Sequence, residues 1–132
     1  MKIGVIGYSG QSFNTDEALV ILRSFFSTLP AGTEIVSGYT DLGIPGLAYK
    51  VAREYGFSCT GIACQKAKEY TCFPCDKVIM DDEWSEWGDE SSDFLQYCDT
   101  FIRIGGGNQS KNEHSLAVAM GKEVVYHELI AS

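Results

Sequence analysis

The sequence contains no long apolar run, although hydrophobic residues make up 45% of its 132 positions. A membrane-spanning helix needs about 18 or more consecutive apolar residues, and no segment approaches that length. Residues 1–7 have the pattern of a first strand, without the charged start and cleavage site of a secretory signal. We therefore expect a cytoplasmic protein with no membrane partner.

Basic residues are scarce. Ten Lys and Arg stand against eighteen Asp and Glu, which gives a formal net charge of −8. Such a charge repels the phosphate backbone of nucleic acids and removes the electrostatic attraction that supplies most non-specific binding to them. We therefore expect no nucleic-acid partner.

The five cysteines are an odd number in a chain without an export signal, which favours free thiols in a reducing compartment. Cys72 and Cys75 have the CxxC spacing, but they precede a predicted strand at 77–80 and not a redox-active helix. A zinc site made by these two with Cys59 and Cys64 would be unusually tight. We expect no metal and no cofactor, and keep a zinc-stabilised interaction protein as an alternative.

Short apolar segments alternate with amphipathic ones along the whole chain. The first amphipathic segment begins at Asn14, a helix N-cap with Glu17 at capping-box spacing, and it ends before Pro30. Further helices are predicted at 44–55, 65–70, 94–97 and 113–120. Strands are predicted at 2–7, 33–37, 58–63, 77–80, 100–104 and 123–126. This alternation predicts one α/β domain over 1–132, a doubly wound, mainly parallel sheet with helices on both faces.

Three glycine-rich turns follow predicted strands, at 7–10, 37–43 and 105–110. In such sheets ligands bind outside the carboxyl ends of the strands, where glycine lets the backbone approach and helix N-termini offer N–H groups to an anion. The alternative is that these turns only reverse the chain. The candidate ligand-binding residues are Gly7, Ser9, Gly10, Ser37, Gly38, Gly43, Gly105, Gly106, Gly107, Asn108, Gln109 and Ser110.

The segment 81–93 (DDEWSEWGDESSD) carries seven carboxylates and no basic residue. Asp89 and Glu90 are candidates to accept hydrogen bonds from ribose hydroxyls or a base amine; the alternative is a solvated acidic face. A divalent cation is a weaker alternative, because the segment has no known metal-loop spacing. Trp84 and Trp87 could stack on a base or pack in a subunit contact, which is the commoner role.

Arg103 interrupts the apolar strand 100–104 just before the third glycine turn. Because a buried charge is normally paired, we predict a salt bridge to the acidic segment, with Glu90 as the candidate partner, ahead of direct contact with a ligand phosphate. His114 and His127 have no nucleophile partner in a recognisable arrangement. We expect both to be structural.

Gly105 to Glu113 (GGGNQSKNE) resembles the PGGxGTxxE motif of the Lonely Guy phosphoribohydrolases, which activate cytokinins. The segments at 37–46 and 7–10 resemble the family's GGG…GLMG segment and first-strand turn. The similarity extends over nearly the whole chain. It indicates the wider SLOG superfamily of Rossmann-like domains that bind nucleotides or nucleotide-derived signals.

The resemblance implies that backbone N–H groups of residues 106–110 hold a phosphate, with Ser9 and Gly38 on the sugar side. Glu113 matches the motif glutamate and, with Glu90, is the candidate catalytic residue, since a carboxylate can stabilise positive charge developing on a ribose. The same Glu113 could instead form a capping box with Ser110. The family's dimers imply a homodimer here.

Glu90 stands where the family has its catalytic arginine, so an anion replaces a cation. Binding of a nucleotide or nucleotide-derived small molecule is therefore the leading hypothesis. Hydrolysis of the N-glycosidic bond of a nucleoside 5′-monophosphate is the alternative.

Overall fold

Six strands form one sheet in the computed structural model, which describes residues 1–132. The strands are β1 (Lys2–Gly7), β2 (Glu34–Ser37), β3 (Ser58–Ile62), β4 (Lys77–Ile79), β5 (Thr100–Ile104) and β6 (Val124–His127). They lie in the order β4-β3-β2-β1-β5-β6, and every neighbouring pair is parallel. All carboxyl ends therefore meet at one edge of the sheet.

Four helices and one 3-10 turn connect the strands. The helices are α1 (Thr15–Phe26), α2 (Gly43–Glu54), α3 (Ser91–Tyr97) and α4 (Asn108–Ala119), and the 3-10 turn is Gln65–Glu69. The predicted N-cap of α1 is confirmed, because Asn14 Oδ1 accepts the N–H of Glu17 at 3.0 Å. None of the helices has the length and apolar character that crossing a bilayer requires.

The core has one layer on each face of the sheet. Successive side chains of a strand point to opposite faces, so Ile3 and Val5 of β1 pack against α1 and α2, while Ile6 packs on the other side. That second layer includes Phe94 of α3 and Ala117 of α4. Helices therefore cover both faces of an entirely parallel sheet, which confirms the predicted fold class.

The main difference from the sequence prediction is the start of α4. The prediction began this helix at residue 113, because the apolar positions that reveal a helical period come late. In the structure it begins at Asn108, with Gly107 as its N-cap. Ser110 therefore lies in the first turn and Glu113 in the second, and the alternative of a capping box between them is excluded.

Candidate functional site

A cavity of about 300 Å³ lies at the carboxyl ends of the strands. Its walls come from the turns after β1, β2 and β5, the end of β3, and the segment that precedes α3. The structure brings together on this wall most of the residues that the sequence indicated, namely Gly7, Ser9, Gly10, Ser37, Gly38, Glu90, Gly107, Asn108, Gln109, Ser110 and Glu113.

Gly105 and Gly106 do not line the cavity. Both have positive φ, +59° and +100°, and a side chain at Gly105 would collide with the carbonyl oxygen of Leu129. A side chain at Gly106 would collide with Ser110. These glycines shape the turn that leads into α4, and their predicted role in ligand binding stays a prediction.

Gly43 and Asp89 also lie outside the cavity. Gly43 has a φ of +55° and packs against the first turn, where the Ile44 N–H donates to Tyr8 O at 2.7 Å. Asp89 Oδ2 accepts a hydrogen bond from the Glu86 N–H at 3.0 Å. Both residues help to fix the backbone, and neither lines this cavity; their predicted ligand contacts stay predictions.

The first turn of α4 lines the cavity and contains a run of unpaired N–H groups. No side chain caps this helix, and the first backbone donor is Lys111 N–H, which bonds to Gly107 O at 3.0 Å. The N–H groups of residues 107–110 have no acceptor within the chain. Unpaired amides and the positive end of a helix dipole together favour an anion at this position.

Two buried carboxylates, Glu90 and Glu113, lie beside this turn, and they are only 7% and 9% exposed. Glu113 Oε2 accepts the Ser91 hydroxyl at 2.8 Å, and Glu90 Oε2 accepts the Gly88 N–H at 3.2 Å. Gln109 Nε2 lies 3.5 Å from Glu90 Oε1. Neither carboxylate forms an ion pair. Each therefore retains acceptor capacity toward the cavity.

Burial makes both carboxylates harder to ionise. It raises the pKa of Glu113 to about 7, and the nearby charge of Glu90 acts in the same direction. Burial also raises the pKa of Glu90. No Lys, Arg or His lines the cavity to offset these effects. Near neutral pH the Glu113 carboxyl can therefore donate or accept a proton, which is the property required of a general acid or base.

Arg103 does not form the predicted salt bridge with Glu90. Its side chain is 9% exposed, Nε donates to Gly105 O at 2.8 Å, and Nη1 lies 3.1 Å from Nδ1 of His114. The guanidinium also lies over the ring of Tyr126, 4.5 Å from its centroid. A carbonyl, an imidazole and an aromatic face replace the expected carboxylate, and Arg103 does not line the cavity.

The two tryptophans of the acidic segment occupy different environments. Trp84 packs against the core layer on the α3 and α4 side. Trp87 lines the cavity and remains 46% exposed, with its ring centroid 6.0 Å from that of Tyr70. Sequence spacing could not separate them, because they lie three residues apart in the same segment.

The cysteines do not converge on a metal site. All five are free, and no three His, Cys, Asp or Glu side chains come together as ligands. Burial raises the pKa of Cys59 to about 11 and that of Cys75 to about 12, so both thiols are protonated near neutral pH. Cys72 instead directs its thiol to the carbonyl oxygen of Ala67, at 3.3 Å.

Tyr49 supports the cavity floor, and sequence reasoning did not identify it. Its fully buried hydroxyl accepts the Ser37 N–H at 3.0 Å and lies 2.6 Å from Gly38 O. The hydroxyl is also 2.9 Å from Thr60 O on the neighbouring strand. Tyr49 occupies an ordinary apolar position of α2, so only its polar end distinguishes it. Ser91, which holds Glu113, was likewise missed.

Solved structures with this fold include two proteins associated with the molybdenum cofactor. One is the molybdenum cofactor binding protein of the phototrophic bacterium Rippkaea orientalis, with a TM-score of 0.79 and 21% identity over 96% of this chain and 76% of that one. The other is the molybdenum cofactor carrier protein of Chlamydomonas reinhardtii, with a TM-score of 0.76 and 21% identity over 95% and 74%.

A third structure with this fold, the structural-genomics target TM1055, has a TM-score of 0.72 and 25% identity over 93% of this chain and 71% of that one. No protein-family model and no curated protein matches the sequence. These similarities agree with the observed topology and establish a Rossmann-like fold.

Proposed function

We propose that this chain is a single domain that binds a nucleotide or a nucleotide-derived, phosphorylated small molecule in the cavity at the carboxyl ends of its strands. The observation that carries the proposal is the row of unpaired N–H groups at residues 107–110, which opens into a cavity of molecular size. Amides of this kind bind phosphate without any basic side chain.

The charges along the wall orient the ligand. The amides of residues 107–110 attract a phosphate, whereas Glu90 and Glu113, which lie beside the same turn, repel it only when they are ionised, so their raised pKa values favour its binding. The two carboxylates, which retain free acceptor capacity, then take hydrogen bonds from sugar hydroxyls or other ligand donors. Ser9 and Gly38, which follow the neighbouring strands β1 and β2, line the same cavity. We assign them to the sugar side of the ligand.

The molybdenum cofactor belongs to this ligand class, since it is a phosphorylated molecule derived from a nucleotide. Two proteins of the same fold are named for binding or carrying it. We therefore include the molybdenum cofactor, beside ordinary nucleotides, among the candidate ligands of this cavity. The resemblance to the Lonely Guy motif supports the same class of ligand. A homodimer and a cytoplasmic location remain predictions.

Hydrolysis of a nucleoside monophosphate is the second candidate function. It is favoured by Glu113, a buried carboxyl on the cavity wall whose pKa is about 7. Two observations favour binding alone. Glu90 replaces the family's arginine, and Arg103 cannot substitute for it because its guanidinium contacts Gly105 and His114 outside the cavity. Release of free base from AMP, abolished by Glu113→Gln, would establish the enzymatic alternative.

A thermal-shift screen tests the proposal. The panel contains AMP, GMP, ADP-ribose, cyclic nucleotides and the molybdenum cofactor, and the phosphate-free nucleosides are the controls. We expect at least one phosphorylated compound to raise the Tm, with no effect from its phosphate-free counterpart. A panel that leaves the Tm unchanged would contradict the proposal.

The variant Asn108→Pro tests the amide site directly. Asn108 is the first residue of α4, a position where proline fits the helix while removing one N–H. Loss of a hydrogen bond to a charged group costs about 1.5–3 kcal/mol, so affinity for the phosphorylated ligand should fall at least tenfold. Asn108→Ala keeps the N–H and is the matched control. Equal affinities of the two variants would place the phosphate elsewhere.

A further inference from the structure

Trp87 is a large aromatic side chain that lines the cavity yet remains half exposed to water. Exposed indole surface is unfavourable, and Trp84, only three residues away, is packed against the core. The ring of Tyr70 packs against Trp87 at a tilt of 51°. The chain therefore holds a partly exposed indole in the wall of the ligand cavity.

The backbone around Trp87 is fixed by several contacts. The Asp89 carboxylate accepts the N–H of Glu86 at 3.0 Å, and Lys66 forms an ion pair with Glu86 at 2.6 Å. Gln65 N–H donates to Trp84 O at 2.7 Å, which ties the segment to the 3-10 turn after β3. The indole is thus presented from a segment that is hydrogen-bonded on both sides of it.

Trp87 and the first turn of α4 line the same cavity. Trp87 stands beside Tyr70, just after the 3-10 turn that follows β3. Three residues further along the chain, Glu90 Oε1 lies 3.5 Å from Gln109 Nε2 of α4. A ligand that is held by its phosphate at α4 can therefore reach the indole with its other end.

We infer that Trp87 stacks on a planar heterocyclic ring of the ligand, which restricts the cavity to phosphate esters that carry such a ring. This inference rests on the proposed function. Aromatic side chains bind bases of every kind through their faces, and the contribution of one stacked base is large enough to decide between ligands. Glu90, three residues further along, offers a carboxylate to an exocyclic amine or a ring N–H.

Calorimetric titration of the 132-residue chain with AMP, GMP and ribose 5-phosphate tests the inference. The wild type should bind at least one of the nucleotides about tenfold or more tightly than ribose 5-phosphate, which has the phosphate and sugar but no ring. Trp87→Ala should lose this preference while its affinity for ribose 5-phosphate stays the same. Trp87→Phe, which keeps an aromatic face, should retain most of it.

Fluorescence provides a second measurement that needs no change at the cavity. In Trp84→Phe, Trp87 is the sole tryptophan, so a nucleotide that stacks on it should quench the emission and ribose 5-phosphate should not. Trp87→Phe, which leaves only Trp84, is the matched control and should show no quenching.

The outcomes separate this inference from the proposed function. Nucleotides that bind Trp87→Ala as tightly as the wild type, or that leave the Trp87 emission unchanged, overturn the stacking role and leave phosphate binding intact. If the wild type binds ribose 5-phosphate as tightly as the nucleotides, the stacking role is likewise overturned and phosphate binding is left intact. If none of the three compounds binds, the inference is overturned, and the thermal-shift panel then decides the proposed function.

Discussion

Replacing Glu113 with glutamine should stabilise the protein at alkaline pH. The Glu113 carboxyl has a pKa of about 7 in the folded state against an ordinary value of 4.5, because it is buried beside Glu90. The unfolded chain therefore loses this proton at lower pH than the folded chain does. The stability associated with the protonated carboxyl is complete below pH 4.5 and is lost as pH rises through 7.

The size of the effect follows from the two pKa values. Their difference corresponds to roughly 3 kcal/mol of unfolding free energy above pH 8, where the folded protein must hold a charged carboxylate in a buried site. Glutamine has nearly the same shape, carries no charge, and can still accept the Ser91 hydroxyl that bonds to Glu113. The variant should therefore be more stable at pH 8 by up to that amount and nearly unchanged near pH 4.5.

Urea denaturation followed by circular dichroism at several pH values between 4.5 and 8 measures the effect. Glu83→Gln is the matched control, because Glu83 is exposed in the acidic segment and its side chain makes no hydrogen bond or ion pair. The reasoning is refuted if Glu113→Gln is no more stable than the wild type at pH 8. A gain of the same size at pH 4.5 would also refute it, since burial of charge would then not be the cause.

Three further predictions concern the ligand and the fold. Affinity for a phosphorylated ligand should fall between pH 6 and pH 8 as Glu113 ionises, and titration calorimetry should show a smaller fall in Glu113→Gln. Tyr49→Phe leaves the buried Ser37 N–H without its acceptor, so urea denaturation should show a loss of about 1–3 kcal/mol and ligand affinity should fall too. Lys122→Met removes the ammonium that bonds to the carbonyls of Leu95 and Cys98 at the end of α3, and denaturation should detect a loss of about 1–3 kcal/mol.

The strands and most of the cavity could be predicted because their residues follow simple local rules. Strand β5 matches the apolar run at 100–104, and glycine or serine after a strand identifies the turns that line the cavity. The start of α4 was missed because residues 108–112 are polar, so no apolar period marks the first turn. That turn nevertheless supplies the amides on which the proposed function depends.

Long-range partners explain the remaining differences. Arg103 was expected to contact a carboxylate, but the chain brings His114 and Tyr126 to it from two other elements. Adjacent acidic residues also diverge: Asp89 is exposed, whereas Glu90 is buried at the cavity. Because Asp89 and Glu90 are neighbours in one turn, the conformation of that turn decides which of them faces the cavity. The amino-acid composition of the segment does not reveal that conformation.

The four helices differ in how the N–H groups of their first turns are satisfied. Asn14 caps α1, the first turn of α2 donates to Tyr8 O, and α3 begins with its own acidic residues. α4 alone begins with no side-chain cap, no acidic residue in its first turn and no outside acceptor for the N–H groups there. Under the proposed function, the anionic group of the ligand therefore binds at the start of α4, and this fixes the orientation of the rest of the molecule. A change of ligand would then require substitutions only among the other residues of the cavity wall.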